Sequence, residues 1–295
     1  LSEALPSFLQ LEKILKGYDR RGNFLGLFFT DAFMLSDFFL VRSFLKWKNT
    51  YVVKMEEWMD IVSELDAAVS MADFRYNHPE ATDAEIVDGS PVLFEAHNLY
   101  HPFLGAKAVK NDFTIQDDNY YIITGANMAG KSTFLRSLGV NYILAMSGMP
   151  VFAGSLKVSR FQLFSSMRTT DDLTHGISYF NAELLRLEQL MQFCKRGELR
   201  TLIILDEILK GTNSLDKLNG SRLFLESISR MPVTGVIATH DLELSRMAES
   251  SPGRFHNYCF EIDLGTDVTY TYKIQPGVAR NQNATFLLNK ILERN

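Results

Sequence analysis

The chain has 295 residues, 46% of them hydrophobic, and a formal net charge of −5. That length buries a full core in one large domain or two smaller ones, and the composition excludes disorder, collagen-like repeats and a disulfide framework. The mild acidity, with no basic run, argues against a segment that grips nucleic acid by its phosphates.

Residues 1 to about 76 read as helical, with one break at Arg21-Gly22-Asn23 and no strand-like alternation. The start lacks the basic and apolar regions of a secretory signal. The most hydrophobic stretch, Asn23 to Leu45, carries Asp31, Asp37 and Arg42. It therefore fails as a membrane span and reads as a buried helix. From Lys46 to Arg75, apolar residues from Trp47 through Trp58 to Ala72 recur mostly at spacings of three and four. That pattern predicts a one-sided helix of about eight turns, an arm that packs on a neighbour.

Asn77-His78-Pro79 and Asp88-Gly89-Ser90-Pro91 are breaker sequences. They place a boundary between an all-helical arm, 1–76, and a second domain, 77–295. Beyond it, strands are expected at Val92–Ala96, Asp112–Ile115, Tyr120–Thr124, Phe161–Ser165, Leu202–Leu205, Val233–Ala238, Tyr258–Ile262 and Val268–Ile274. Helices are expected to begin near Lys131, Ser178, Leu215 and Asp241, with a last one over 284–292. Strands alternating with helices predict an α/β fold with a mostly parallel central sheet. The last two strands, joined at Asp263-Leu264-Gly265-Thr266, read as an antiparallel edge hairpin. Cys194 and Cys259, 65 residues apart, lack metal-ligand spacing and read as buried small hydrophobes in a reducing compartment.

Three stretches carry chemistry. The apolar strand Tyr120–Thr124 runs directly into Gly125-Ala126-Asn127-Met128-Ala129-Gly130-Lys131-Ser132-Thr133 and then a helix. The glycines let backbone N–H groups curl around phosphate oxygens, and the helix start adds its partial positive charge. Lys131 is a cation for the β- and γ-phosphates, and the Ser132 hydroxyl is a Mg²⁺ ligand. A second apolar strand, Thr201–Leu205, ends in Asp206-Glu207, 75 residues beyond the lysine. Asp206 there suits Mg²⁺ and Glu207 suits a general base. Asp-Glu after apolar residues is also how a helix can start, so the pair gains its meaning from the loop. A third strand ends at Thr239-His240, and a histidine there suits a γ-phosphate contact.

Together these residues resemble the MutS family of DNA mismatch-repair ATPases. Thr124–Thr133 is similar to its nucleotide loop, with Asn127-Met128 inside the glycines. Leu205-Asp206-Glu207-Ile208 with Gly211, Thr212 and Ser214 resembles its strand-end acids and following loop, and Ala238-Thr239-His240 its histidine switch. Asp171-Asp172-Leu173 with Gly176, Ser178, Phe180 and Glu183 resembles the segment that reaches a partner's nucleotide. The resemblance covers about residues 91 to 292.

It implies an ABC-type P-loop ATPase fold and cofactors ATP and Mg²⁺. Two copies would pair around two nucleotides, with Ser178, Gly211, Thr212 and Ser214 acting at the interface in trans. The helical arm would correspond to the lower part of the family's lever helices. DNA would be contacted only by parts outside this segment, and no membrane through it. The expected location is cytoplasmic, with a membrane tether only if the native chain extends before Leu1.

Three features depart from the repair proteins. Ala108 stands where an aromatic residue stacks on adenine, leaving Phe103 or Tyr100 as substitutes. No stretch of these 295 residues reads as the mismatch-reading domain, the connector or the full clamp. Leu209-Lys210 replaces the usual Gly-Arg. Trp47-Lys48 and Asn77-His78-Pro79 look more like MutS-related bacterial ATPases. Two alternatives stay open: another ABC-type ATPase, though no Leu-Ser-Gly-Gly-Gln run precedes the acidic strand, and a nucleotide-gated scaffold with little turnover. A guanine-specific switch is disfavoured, because no Asn-Lys-x-Asp run occurs.

Overall fold

The structure, a computed structural model, describes residues 2–19, 35–89, 91–167, 179–196, 199–210, 213–264 and 268–280. It divides into two units, Leu1–Asn77 and His78–Asn295.

The first unit is helical among its described residues. Helix α1 (Ala4–Asp19) lies along α2 (Ser36–Asn77), which runs 42 residues and begins ten residues before the expected start at Lys46. The contact is aromatic. Trp47 and Trp58 are buried, the Phe8 ring lies 6.0 Å from Trp58, and Trp47 Nε1 donates to the Ser7 carbonyl at 2.9 Å. Burying side chains of this size stabilises by roughly 2–3 kcal/mol each.

Two expectations change here. The described part of the apolar stretch, from Ser36 to Leu45, is helical but not buried: Phe38, Phe39 and Leu45 are exposed. The predicted apolar face of α2 is covered only in part, because α1 is too short to span it. Val62, Leu65 and Val69 remain exposed. No described helix is long and apolar enough to cross a membrane.

The second unit is mixed α/β, with two sheets where one central sheet was expected. The larger has six strands: β4 (Tyr120–Gly125), β6 (Gln162–Ser166), β7 (Thr201–Asp206), β8 (Val233–Thr239), β9 (Phe255–Leu264) and β10 (Val268–Pro276). Their order is β10-β9-β4-β8-β7-β6, all parallel except β10, which pairs antiparallel with β9. Central strands are buried along their length, which explains their unbroken apolar runs.

The strands foreseen at Val92–Ala96 and Asp112–Ile115 belong to a separate four-stranded sheet instead. In it, β2 (Leu93–Leu99) and β3 (Asn111–Gln116) join β1 (Glu85–Val87) and β5 (Ser155–Ser159) in the order β1-β5-β2-β3. β1 and β5 escaped notice because three- and five-residue strands carry almost no periodic signal.

Helices α3 (Lys131–Met146), α4 (Tyr179–Arg196) and α5 (Ser214–Ile228) accompany the large sheet. Where a helix was expected from Asp241, the chain forms a 3₁₀ turn, Leu242–Arg246, and one short helical turn, Met247–Ser250. The Asp241 side chain caps that turn by accepting from Glu243 N. The helix expected over 284–292 lies outside the described residues. Both cysteines are buried thiols, and burial pushes the Cys194 thiol up to about 11, which makes it inert.

Candidate active site

β4, β8 and β7 are consecutive neighbours, so their C-terminal ends open on one edge. Thr124 pairs with Thr239, and Asp206 with Ala238. Such an edge is where ligands of open α/β sheets bind.

The chain leaving β4 has to curl before α3 begins. Gly125 adopts φ 154°, and a Cβ there would lie 2.9 Å from the Phe260 carbonyl oxygen. Backbone approach this close admits only glycine. Met128 takes a left-handed φ of 65° and stands exposed. Gly130 precedes α3 without any side-chain cap, so no side chain competes for the first N–H groups of the helix.

Lys131 is 5% exposed, and its Nζ donates to the carbonyls of Gly125 at 2.7 Å and Ala126 at 2.9 Å. Its Nζ also lies 3.4 Å from His240 Nδ1. Burial lowers the lysine to about 8, against the pull of the Asp206 and Glu207 charges. Protein crowding, then the Lys131 charge, hold the His240 imidazole below its ordinary pKa.

Asp206 ends β7, and Glu207 follows in a left-handed conformation, φ 67°, with its N–H donating to the Ala238 carbonyl at 2.9 Å. Glu207 Oε1 accepts from Lys217 Nζ at 2.6 Å, and Oε2 lies 3.9 Å from Lys210 Nζ. Burial raises this carboxyl, but the Lys217 hydrogen bond and charge, with His240 and Lys210, outweigh it and leave the pKa below the usual carboxylate value.

A cleft of about 530 Å³ opens beside the loop. It is lined by Ala126 to Thr133 and His240, and also by Tyr100, Val109, Asn111 and Tyr272, whose ring lies beside Gly130. Tyr272 reaches it from a bulge in β10, with a left-handed φ of 53°. Asn111 fixes that bulge: its Nδ2 donates to the Tyr272 carbonyl at 3.1 Å, and its Oδ1 accepts from Ile274 N at 2.9 Å.

The sequence-predicted loop residues therefore stand together with Lys131 and His240, and Asp206 and Glu207 stand at the end of the strand beyond β8. Ser214 opens α5 and is exposed. Ser178, Gly211 and Thr212 lie outside the described residues. Of the two proposed substitutes for the missing aromatic, Tyr100 lines the cleft but is buried edge-on against Phe152. Phe103 is 93% exposed and does not line it, nor does Ala108. Sequence reasoning missed Tyr272, Asn111 and Lys217, and met Lys210 only as a departure within the loop, not as a neighbour of Glu207. The alternating run Val268–Ile274 reads as a regular strand, and nothing in it betrays the bulge.

Residues 121–286 match the family model for MutS domain V. The DNA mismatch repair protein MutS of Acetivibrio thermocellus is 32% identical over 233 residues, 75% of this chain and 26% of the relative. That of Staphylococcus carnosus is 30% identical over 212 residues, 68% of this chain and 24% of the relative. The DNA mismatch repair protein MSH2 of Zea mays is 30% identical over 258 residues, 78% of this chain and 26% of the relative. The chain spans about a quarter of the length of these relatives.

Proposed function

The chain belongs to the MutS family, and on that premise we propose that its second unit is an ABC-type ATPase that binds ATP with Mg²⁺ and hydrolyses it. The observation that carries this reading is the convergence of Lys131, His240 and Asp206-Glu207 at the ends of three adjacent parallel strands, beside a cleft of nucleotide size.

The phosphates lie along Ala126–Thr133, where the Lys131 ammonium exchanges its backbone carbonyl partners for phosphate oxygens. The base lies against Tyr272, which takes the stacking role that Ala108 cannot supply. Ser132 and Asp206 would hold Mg²⁺, which when bound neutralises charge on the β- and γ-phosphates. The donors suit it: a hydroxyl and one carboxylate, both oxygen ligands. Mg²⁺ is commonly held by one or two carboxylates, substrate phosphate and water.

Hydrolysis follows from the same residues. Glu207 accepts a proton from water as the water oxygen bonds to the γ-phosphorus. The bond from that phosphorus to the β–γ bridging oxygen breaks, leaving ADP and phosphate. Lys131 offsets the charge on the leaving side, and His240 meets the γ-phosphate by a hydrogen bond. A second copy completes the site through Ser178 and the segment Gly211–Ser214, so that ATP closes a dimer and hydrolysis opens it. The helical unit carries that motion to parts outside this segment, in a DNA-repair-associated process like that named for the relatives.

The test is Glu207→Gln. Turnover should fall by 10²-fold or more, the scale of a lost general base. ATP binding should persist, and a dimer should accumulate on gel filtration with Mg·ATP. Turnover within about twofold of wild type would remove Glu207 from this role.

A further inference from the structure

The loop that carries Glu207 is strained at two places. Glu207 and Leu209 are both non-glycine residues with left-handed backbone, at φ 67° and 57°. Each costs on the order of 1–3 kcal/mol and persists only where its surroundings hold it. One face of α5 does the holding. Lys217, Gly220 and Ser221 are spaced i, i+3 and i+4, so they share that face. Ser221 Oγ donates to the Ile208 carbonyl at 3.3 Å. Gly220 leaves a gap for Leu209: a Cβ there would stand 2.5 Å from Leu209 Cδ1, and the leucine is buried. Lys217 Nζ grips Glu207 Oε1 at 2.6 Å, and both side chains are about one-fifth exposed. Ion pairs shielded to this degree lose less to solvent screening than surface pairs do.

Other charged groups compete for the same carboxylate. Lys210 lies 3.9 Å from Oε2. His240 and Lys131 act on it across the strand ends, and Asp206 is the adjoining anion. Without Lys217 the carboxylate loses its one close partner among the described residues and is held only by the loop and the more distant Lys210. A carboxylate no longer fixed in one orientation is a poorer general base, because proton transfer needs a set geometry.

We infer that Lys217 is a positioning residue for the hydrolytic step, which anchors Glu207 by one oxygen and leaves the other directed by the loop. The inference rests on the hydrolytic reading above.

The experiment compares steady-state hydrolysis of Mg·ATP by the wild type, Lys217→Met and Lys217→Arg, with folding checked by circular dichroism. Lys217→Met should lower kcat on the order of 10- to 100-fold, the scale of a misplaced catalytic group. KM should move less than about threefold, since ground-state binding is untouched. Lys217→Arg should recover most of kcat. In single-turnover assays, Lys217→Met added to Glu207→Gln should slow the reaction no further, because the two act as a unit. Should the methionine variant not fold, Lys217→Gln carries the same comparison.

Equal kcat in wild type and Lys217→Met would overturn the inference and leave the ATPase reading standing. So would a loss confined to KM, or full additivity with Glu207→Gln. A wild type that binds Mg·ATP without turning it over would overturn both.

Discussion

One part of the cleft lining, the wall proposed for phosphate, comes from one unbroken stretch, Ala126 to Thr133, whereas the second part is assembled from Tyr100, Asn111 and Tyr272, which lie far apart in the chain. The first wall works chiefly through backbone: a glycine where no Cβ fits, an uncapped helix start and one buried lysine. The second works through side chains held by a bulge, which an asparagine fixes from another strand. Backbone chemistry of this kind demands particular residues in a particular order and tolerates little substitution. A side-chain wall needs only an aromatic surface at the right place, whichever element supplies it. On the proposed reading, that difference is how Tyr272 can offer a face for a base although Ala108 does not line the cleft.

Substitutions on the two walls should therefore differ in size and in kind. Gly125→Ala should do most damage. Its Cβ meets the Phe260 backbone, and the φ of 154° disfavours any side chain. Strain of about 1–3 kcal/mol predicts a loss of ATP affinity on the order of 10- to 100-fold, for all nucleoside triphosphates alike. Calorimetric titration with ATP and GTP measures both parts.

Tyr272→Ala should cost less, about tenfold for ATP, from the loss of stacking worth roughly 1–3 kcal/mol at a partly exposed ring. Unlike the glycine change, it should narrow the difference between ATP and GTP. A uniform loss for both bases would erase the distinction between the walls. The smallest effect belongs to Phe103→Ala. This ring is exposed and outside the cleft, so ATP affinity should stay within about twofold, since surface changes away from packed features are near neutral. A tenfold loss would return Phe103 to the base wall.

The same contrast decides what could be read from the sequence. Strands β4, β7 and β8 announce themselves as apolar runs ending in Gly125, Asp206 and Thr239-His240, because buried parallel strands need such runs and the sheet edge needs such residues. The loop is contiguous, so its chemistry is visible in one line of sequence. Tyr272 was hidden, since a bulge inside an alternating run has no signature without its partner Asn111, 161 residues away. Lys217 was hidden for a related reason. Its pairing with Glu207 depends on how α5 lies over the strand end, which propensity does not specify.

The second sheet went unrecognised because β1 and β5 are too short to carry a period, although β2 and β3 were read correctly as strands. In the helical unit, the three- and four-residue spacing identified α2. It did not reveal that α1 covers only part of the apolar face, because covering depends on helix length rather than on pattern.

The central claim is that the ends of β4, β8 and β7 hold a nucleoside triphosphate through Lys131. Titration of the wild type and Lys131→Ala with ATP in the presence of Mg²⁺, followed by calorimetry, tests it most directly. The account predicts saturable binding of one ATP per chain in the wild type, weakened at least 10-fold without the ammonium, given that hydrogen bonds to charged groups contribute about 1.5–3 kcal/mol. Equal affinity in the two proteins, or no saturable binding to the wild type, would contradict it.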